Sequence, residues 1–186
     1  MSDIENIITE SSETILSLKN NTAEIQKSID SIIHCLNSGK KILVFGNGGS
    51  AADSQHMVAE FLGRFLKERK SLPAISLTTD TSTITSLSND YSYDIVFSRQ
   101  CESLVESGDV VIGISTSGNS LNVINGLKTS HKKGATTIAF LGNDGGQIKN
   151  LVDIPIVVNS SSTPRIQEAH RTIYHIICEL VEKSFL

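Results

Sequence analysis

Several features are scarce in this sequence. It has only three cysteines, Cys35, Cys101 and Cys178, with no close spacing. An odd, scattered set excludes a disulfide framework and a zinc knuckle, and reads as free buried thiols of a reducing compartment. No run of five like charges occurs and the formal net charge is -4. The clustered basic face of a nucleic-acid-binding protein is therefore missing, although a local basic pocket for a phosphate is compatible with that balance. No apolar run reaches the about 18 residues of a membrane span. The opening MSDIENIITESS lacks the charged start and apolar stretch of a signal peptide. These absences lead us to expect a soluble cytoplasmic protein with neither membrane nor nucleic-acid partners.

The chain has 186 residues, 39% hydrophobic and 19% charged, which suits one domain with a sizeable core. No repeat or linker divides residues 1–186. Ile15, Leu18, Ile25, Ile29, Ile32, Ile33 and Leu36 recur at helical spacing and predict a helical segment within 1–38, with Gly39 as its stop and Asn20-Asn21 as a bend or break. Its apolar stripe can pack on its own domain or against the same helix of another subunit. Across 39–186, apolar runs at 40–46, 74–77, 109–115, 135–142 and 154–158 alternate with helical stretches at 50–67, 94–105, 121–131 and 165–183. Val- and Ile-rich strands alternating with helices predict an α/β fold, an open parallel sheet flanked by helices. Ligands of such sheets sit beyond the carboxyl ends of the strands.

The first strand leads into FGNGGSAADSQHMVAE. Its glycines permit a sharp turn and close approach to a ligand, and the helix that follows favours an anion. The loose dinucleotide fingerprint Gly46-x-Gly48-x-x-Ala51 lacks the acidic residue it needs after the second strand, since Asp80 comes too late. The third strand ends in GISTSGNSLNV, where Ser115, Thr116, Ser117 and Ser120 put hydroxyls around Gly118 ahead of a helix. That suits a phosphate monoester better than the alternative, a polar turn with a good N-cap, because four hydroxyls fall within six residues at the end of a central strand. His56 and Glu60 share a helix face, an arrangement open to metal binding, base chemistry or an ordinary surface pair. Gln167, Arg171 and His175 form a polar stripe beside the apolar face of the last helix. His170 and His175 both fit structural roles on spacing alone. Asn89-Asp90, after a Ser/Thr-rich loop, fits either a turn or contacts to sugar hydroxyls.

Taken together, FGNGGSAADSQHMVAEFLGRF, LTTDTSTITSLSNDY, GISTSGNS and RIQEAHRTIYH resemble the phosphoheptose isomerases, within the wider sugar isomerase (SIS) domain group. The resemblance runs over essentially the whole chain and implies a SIS-type fold with an added N-terminal helix at a subunit interface. It implies a homotetramer that binds Zn2+ and converts sedoheptulose 7-phosphate to glycero-manno-heptose 7-phosphate, for nucleotide-activated heptose synthesis. It implies Glu60 and His175 as the acid–base pair, and zinc ligands at His56, Glu60, Gln167 and His175. Substrate contacts are implied at Asn47, Gly48, Gly49, Glu60, Asn89, Asp90, Ser115, Thr116, Ser117, Ser120 and Gln167. Arg64, one turn beyond Glu60, also matches the family. Phe45, where cysteine is common, and Pro164 depart from it. A non-catalytic SIS regulator and an isomerase of another phosphosugar are the competing functions.

Overall fold

The computed structural model describes residues 2–186. A capping box starts the first helix: Ser2 Oγ accepts the Glu5 N–H and Glu5 Oε2 accepts the Ser2 N–H. Helix α1 (Asp3–Ser17) gives way to a 3₁₀ turn at Leu18–Asn21 and then α2 (Thr22–Asn37). The expected break at Asn20-Asn21 is present, and Asn21 donates its side-chain amide to the Val157 carbonyl, 3.2 Å away. Helix α2 buries Ile25, Ile29, Ile32, Cys35 and Leu36, whereas α1 buries none of its residues.

Strands β1 (Ile42–Gly46), β2 (Ala74–Ser76), β3 (Val110–Ser115), β4 (Thr136–Gly142) and β5 (Ile154–Val158) form one parallel sheet in the order β2-β1-β3-β4-β5. The intervening helices are α3 (Gly49–Leu62), α4 (Thr81–Asp90), α5 (Val96–Leu104) and α6 (Leu121–Lys132), with α7 (Thr163–Lys183) at the end. Every residue of β1 and β3 is buried, as a sheet covered on both faces requires. Alternate β1 residues serve opposite layers: Ile42 and Val44 pack with α2, α3 and α7, while Leu43 and Phe45 pack with α5 and α6. Phe45 stacks on Phe97 at 4.8 Å and leaves room only for glycine at 126, where a Cβ would lie 2.7 Å from the Phe45 ring. The Phe45 departure is thus a core feature of the α5/α6 face.

The chain passes from β1 out to β2, then returns to β3 on the other side of β1. The order reverses there, so the loops after β1 and β3 flank a switch point, where open α/β sheets bind ligands.

Several boundaries differ from expectation. Helix α3 ends at Leu62 instead of continuing to 67. Arg69 caps its end, donating to the carbonyls of Glu60, Phe61 and Gly63. The Glu182 carboxylate then accepts the N–H groups of Phe65, Leu66 and Lys67 at 2.8–2.9 Å. These interactions give the post-helix segment its own partners, so the helix has no need to go on. The Ser/Thr-rich stretch expected to be a loop is helix α4, started by Asp80, whose Oδ1 accepts the Thr83 N–H at 3.0 Å. Asn89 and Asp90 accordingly end a helix. Pro164 lies in the first turn of α7, where a missing N–H costs nothing.

Candidate active site

At the switch point, Asn47-Gly48-Gly49 turns from β1 into α3, with Gly48 at φ +54. Opposite it, Gly118 at φ +65 turns the chain from β3 toward α6. Ser115, itself buried, has its hydroxyl 3.2 Å from that of Ser120. Ser117 Oγ accepts the Asn119 N–H, and Ser120, at the cap of α6, makes no side-chain cap bond. Hydroxyls, backbone N–H groups and the starts of two helices therefore converge, a setting suited to an anion. The amides of Asn47 and Asn122 pair reciprocally at 2.8 and 2.9 Å, and Tyr93 donates its hydroxyl to Asn47 Oδ1 at 3.1 Å. Through Tyr93 the segment just after Asn89 and Asp90 returns to the same loop.

The second cluster arises from α3 and α7 lying side by side and running in the same direction. Gln167 covers Gly49, where a Cβ would come 2.5 Å from its Nε2. Farther along, Arg171 donates to Asp53 Oδ1 at 3.1 Å. Beyond that, the His56 and His175 rings meet edge to face at 5.2 Å. The polar stripe read on α7 is thus the surface turned toward α3. His56 Nε2 lies 2.9 Å from Glu60 Oε1, and His56 Nδ1 lies 2.9 Å from the Tyr174 hydroxyl. Donor atoms of His56, Glu60 and His175 all fall within 4.8 Å of one another. Two imidazole nitrogens and a carboxylate oxygen at that spacing fit a zinc ion.

Electrostatics support a charged anchor behind this cluster. Asp53 is 2% exposed, and its hydrogen bond holds the Arg171 guanidinium further above its already high value. Burial, then the Asp53 charge, pushes the Tyr174 phenol up to about 12. Burial holds His175 below the ordinary histidine range; neighbouring His56 adds to this and Glu60 opposes it.

The expected site residues fall into two groups within one chain. Glu60 lies eleven residues beyond Gly49 on α3, about 16 Å along the helix axis at 1.5 Å per residue. Phe61 accepts the Leu72 N–H just ahead of β2, which puts the Glu60 end of α3 near the amino edge of the sheet. The hydroxyl loop stands at the carboxyl edge. Gln167 lies with Gly49, eight residues and about 12 Å ahead of His175 along α7, so it does not join His56, Glu60 and His175 in the same chain. Arg64 lies past the end of α3, exposed, with its Nε 3.8 Å from Glu68. Of the two histidines weighed on α7, His170 is the structural one. It is fully buried, and its Nε2–H donates to the Leu141 carbonyl at 3.0 Å. Asp53, Tyr174, Tyr93 and Asn122 were not singled out from the sequence. Only the i, i+3 spacing of Asp53 and His56 hinted that Asp53 shares the α3 face.

A family model for the SIS domain matches residues 8–142. A probable phosphoheptose isomerase of Thermoplasma acidophilum is 57% identical over 156 residues, covering 84% of this chain and 86% of its own length. The phosphoheptose isomerase of Clostridium acetobutylicum is 52% identical over 175 residues, 94% of this chain and 89% of its own. The solved phosphoheptose isomerase of Neisseria gonorrhoeae superimposes with a TM-score of 0.92 at 38% identity, covering 97% of each chain. The chain belongs to the SIS-domain family and, within it, to the phosphoheptose isomerases, a family of sugar-phosphate isomerases.

Proposed function

We propose that this protein converts sedoheptulose 7-phosphate to D-glycero-D-manno-heptose 7-phosphate in the cytoplasm, supplying nucleotide-activated heptose synthesis for surface polysaccharide. The observation that carries the reading is the convergence of His56, Glu60 and His175 in a chain that also has a hydroxyl-lined anion cradle at its switch point. The cradle, from Ser115, Thr116, Ser117 and Ser120, holds the phosphate. Asn47, Gly48, Gly49, Asn89, Asp90 and Gln167 contact the sugar.

Isomerisation of the open-chain ketose needs a base that removes a C1 proton and returns it to C2 through an enediol, while a proton passes from O1 to O2. Glu60 is the carbon proton carrier. Its contact with His56 uses Oε1 and leaves Oε2 for a second role. His175 moves the proton between the oxygens, as an imidazole below its ordinary pKa is neutral at working pH and able to accept. His56, Glu60 and His175 would hold zinc, with Gln167 of a neighbouring copy as the further ligand; a neutral imidazole has one free lone pair, so His175 serves as zinc ligand or as proton acceptor, never both at once. A zinc ion held there would supply Lewis-acid polarisation of a carbonyl.

The assembly is a homotetramer with sites shared between chains. Glu60 stands about 16 Å along α3 from Gly49 at the loop that faces the cradle, and a second copy whose cradle faces Glu60 would complete each site. Ile4, Ile7, Ile8 and Leu16 of α1 are all more than half exposed, and an apolar groove of about 330 Å³ runs between α1, α2 and α7. A second chain on this face would bury both, which supports the N-terminal segment as the interface. Incubating purified protein with sedoheptulose 7-phosphate, and in parallel with hexosamine and pentose phosphates, tests the assignment. Turnover of the heptulose alone supports it, and no turnover by a folded, zinc-loaded tetramer refutes it.

A further inference from the structure

We propose that Asn122 is a positioning residue that fixes the orientation of the Asn47 amide, so that Asn47 meets the substrate only as a hydrogen-bond donor. This rests on the reading that Asn47 contacts the phosphosugar. Asn122 is the second residue of α6 and is 3% exposed. A buried amide in a helix is costly unless its donors and acceptors are partnered. Here the partners set an order. The Val123 N–H must point at an oxygen, and it donates to Asn122 Oδ1 at 2.9 Å. That fixes Asn122 with Nδ2 toward Asn47 Oδ1, at 2.8 Å. Asn47 then returns one Nδ2 hydrogen to Asn122 Oδ1 at 2.9 Å.

The accounting on Asn47 is nearly complete. Its Oδ1 also accepts from Tyr93, which occupies both lone pairs. One of the two Nδ2 hydrogens is used by Asn122. The remaining polar function is a single N–H, suited to a sugar or phosphate oxygen and unsuited to a group that must donate. The amide pair also ties the loop after β1 to the start of α6, the two walls of the switch point. Tyr93 alone is a weaker hold, since it is 51% exposed.

The test is a double-mutant cycle read on kcat and KM for sedoheptulose 7-phosphate, with thermal unfolding alongside. Asn47→Ala and Asn122→Ala should each raise KM about tenfold, the loss of one well-placed hydrogen bond. Any fall in kcat should be the same in Asn122→Ala as in Asn47→Ala, since both remove one and the same contact. The double variant should be no worse in KM than Asn47→Ala alone. Asn122→Leu carries the same expectation if the alanine variant fails to fold, since it fills about the same volume, lacks the donor that orients Asn47 and brings no charge to the anion cradle. A folded Asn122 variant with wild-type KM, or KM effects that multiply in the double variant, overturns the positioning role. Wild-type KM in Asn47→Ala instead removes the substrate contact on which the proposal rests.

Discussion

The Tyr174 hydroxyl lies 2.9 Å from His56 Nδ1 and 3.5 Å from Asp53 Oδ1, so the imidazole beside Glu60 is held from behind by a phenol and a buried carboxylate. Such partners fix ring orientation and the nitrogen left for a ligand. Tyr174→Phe leaves Nδ1 without this partner. Zinc affinity, measured by chelator competition, should fall about 10- to 100-fold. Denaturant unfolding should show a loss of about 0.5–1.5 kcal/mol, the net worth of one part-buried hydrogen bond. Unchanged zinc affinity would separate Tyr174 from the metal site.

Zinc should bind in stoichiometric amount per chain. Replacing His56 or Gln167 by Ala should weaken binding, as should changes at Glu60 or His175. Without a thiolate the affinity should lie below that of cysteine sites. Metal analysis before and after chelation checks this. Full activity in a demonstrably metal-free sample would contradict the assigned role.

Sedimentation at several concentrations should give a tetramer. Glu60 and His175 come together in one chain, so mixing inactive Glu60→Gln and His175→Gln chains should restore little activity. Mixing Glu60→Gln with a chain inactivated at Ser115 and Thr116 should restore a measurable share, because each damaged half is supplied by a different copy. Restoration in the first mixture and none in the second would reverse the subunit assignment.

The sheet was legible because β1, β3 and β4 are almost wholly buried, and buried strands read as plain apolar runs. Helix α4 was not legible. Its Ser, Thr, Asn and Asp favour turns, and no residue in it is buried, so neither propensity nor periodicity marked it. The early end of α3 depends on Glu182, more than a hundred residues away, which no local pattern can announce. His56 and Glu60 were visible as a helix pair. Their meeting with His175 depends on how α7 lies along α3, and Asp53 and Tyr174 become significant only once that packing is known.

His170 predicts a pH dependence of stability. Burial lowers its pKa from 6.5 to about 4, against smaller opposing effects from the Leu141 hydrogen bond and Asp53. Between those values the unfolded chain binds the proton and the folded chain does not, so stability rises with pH there. The contribution is fully present above pH 6.5 and lost as pH falls toward 4. Relative to His170→Gln, the wild type should lose up to about 3 kcal/mol across that window. Urea unfolding of both proteins in matched buffers measures it. Parallel stability profiles would contradict the buried neutral imidazole.

The acid–base assignment is tested most directly by kcat for sedoheptulose 7-phosphate in Glu60→Gln and His175→Gln tetramers shown to be folded. General acid–base groups contribute about 10² to 10⁴ in rate, so each variant should fall to about a hundredth of wild type or lower. Retention of more than about a tenth of wild-type kcat by either would contradict the role given to that residue.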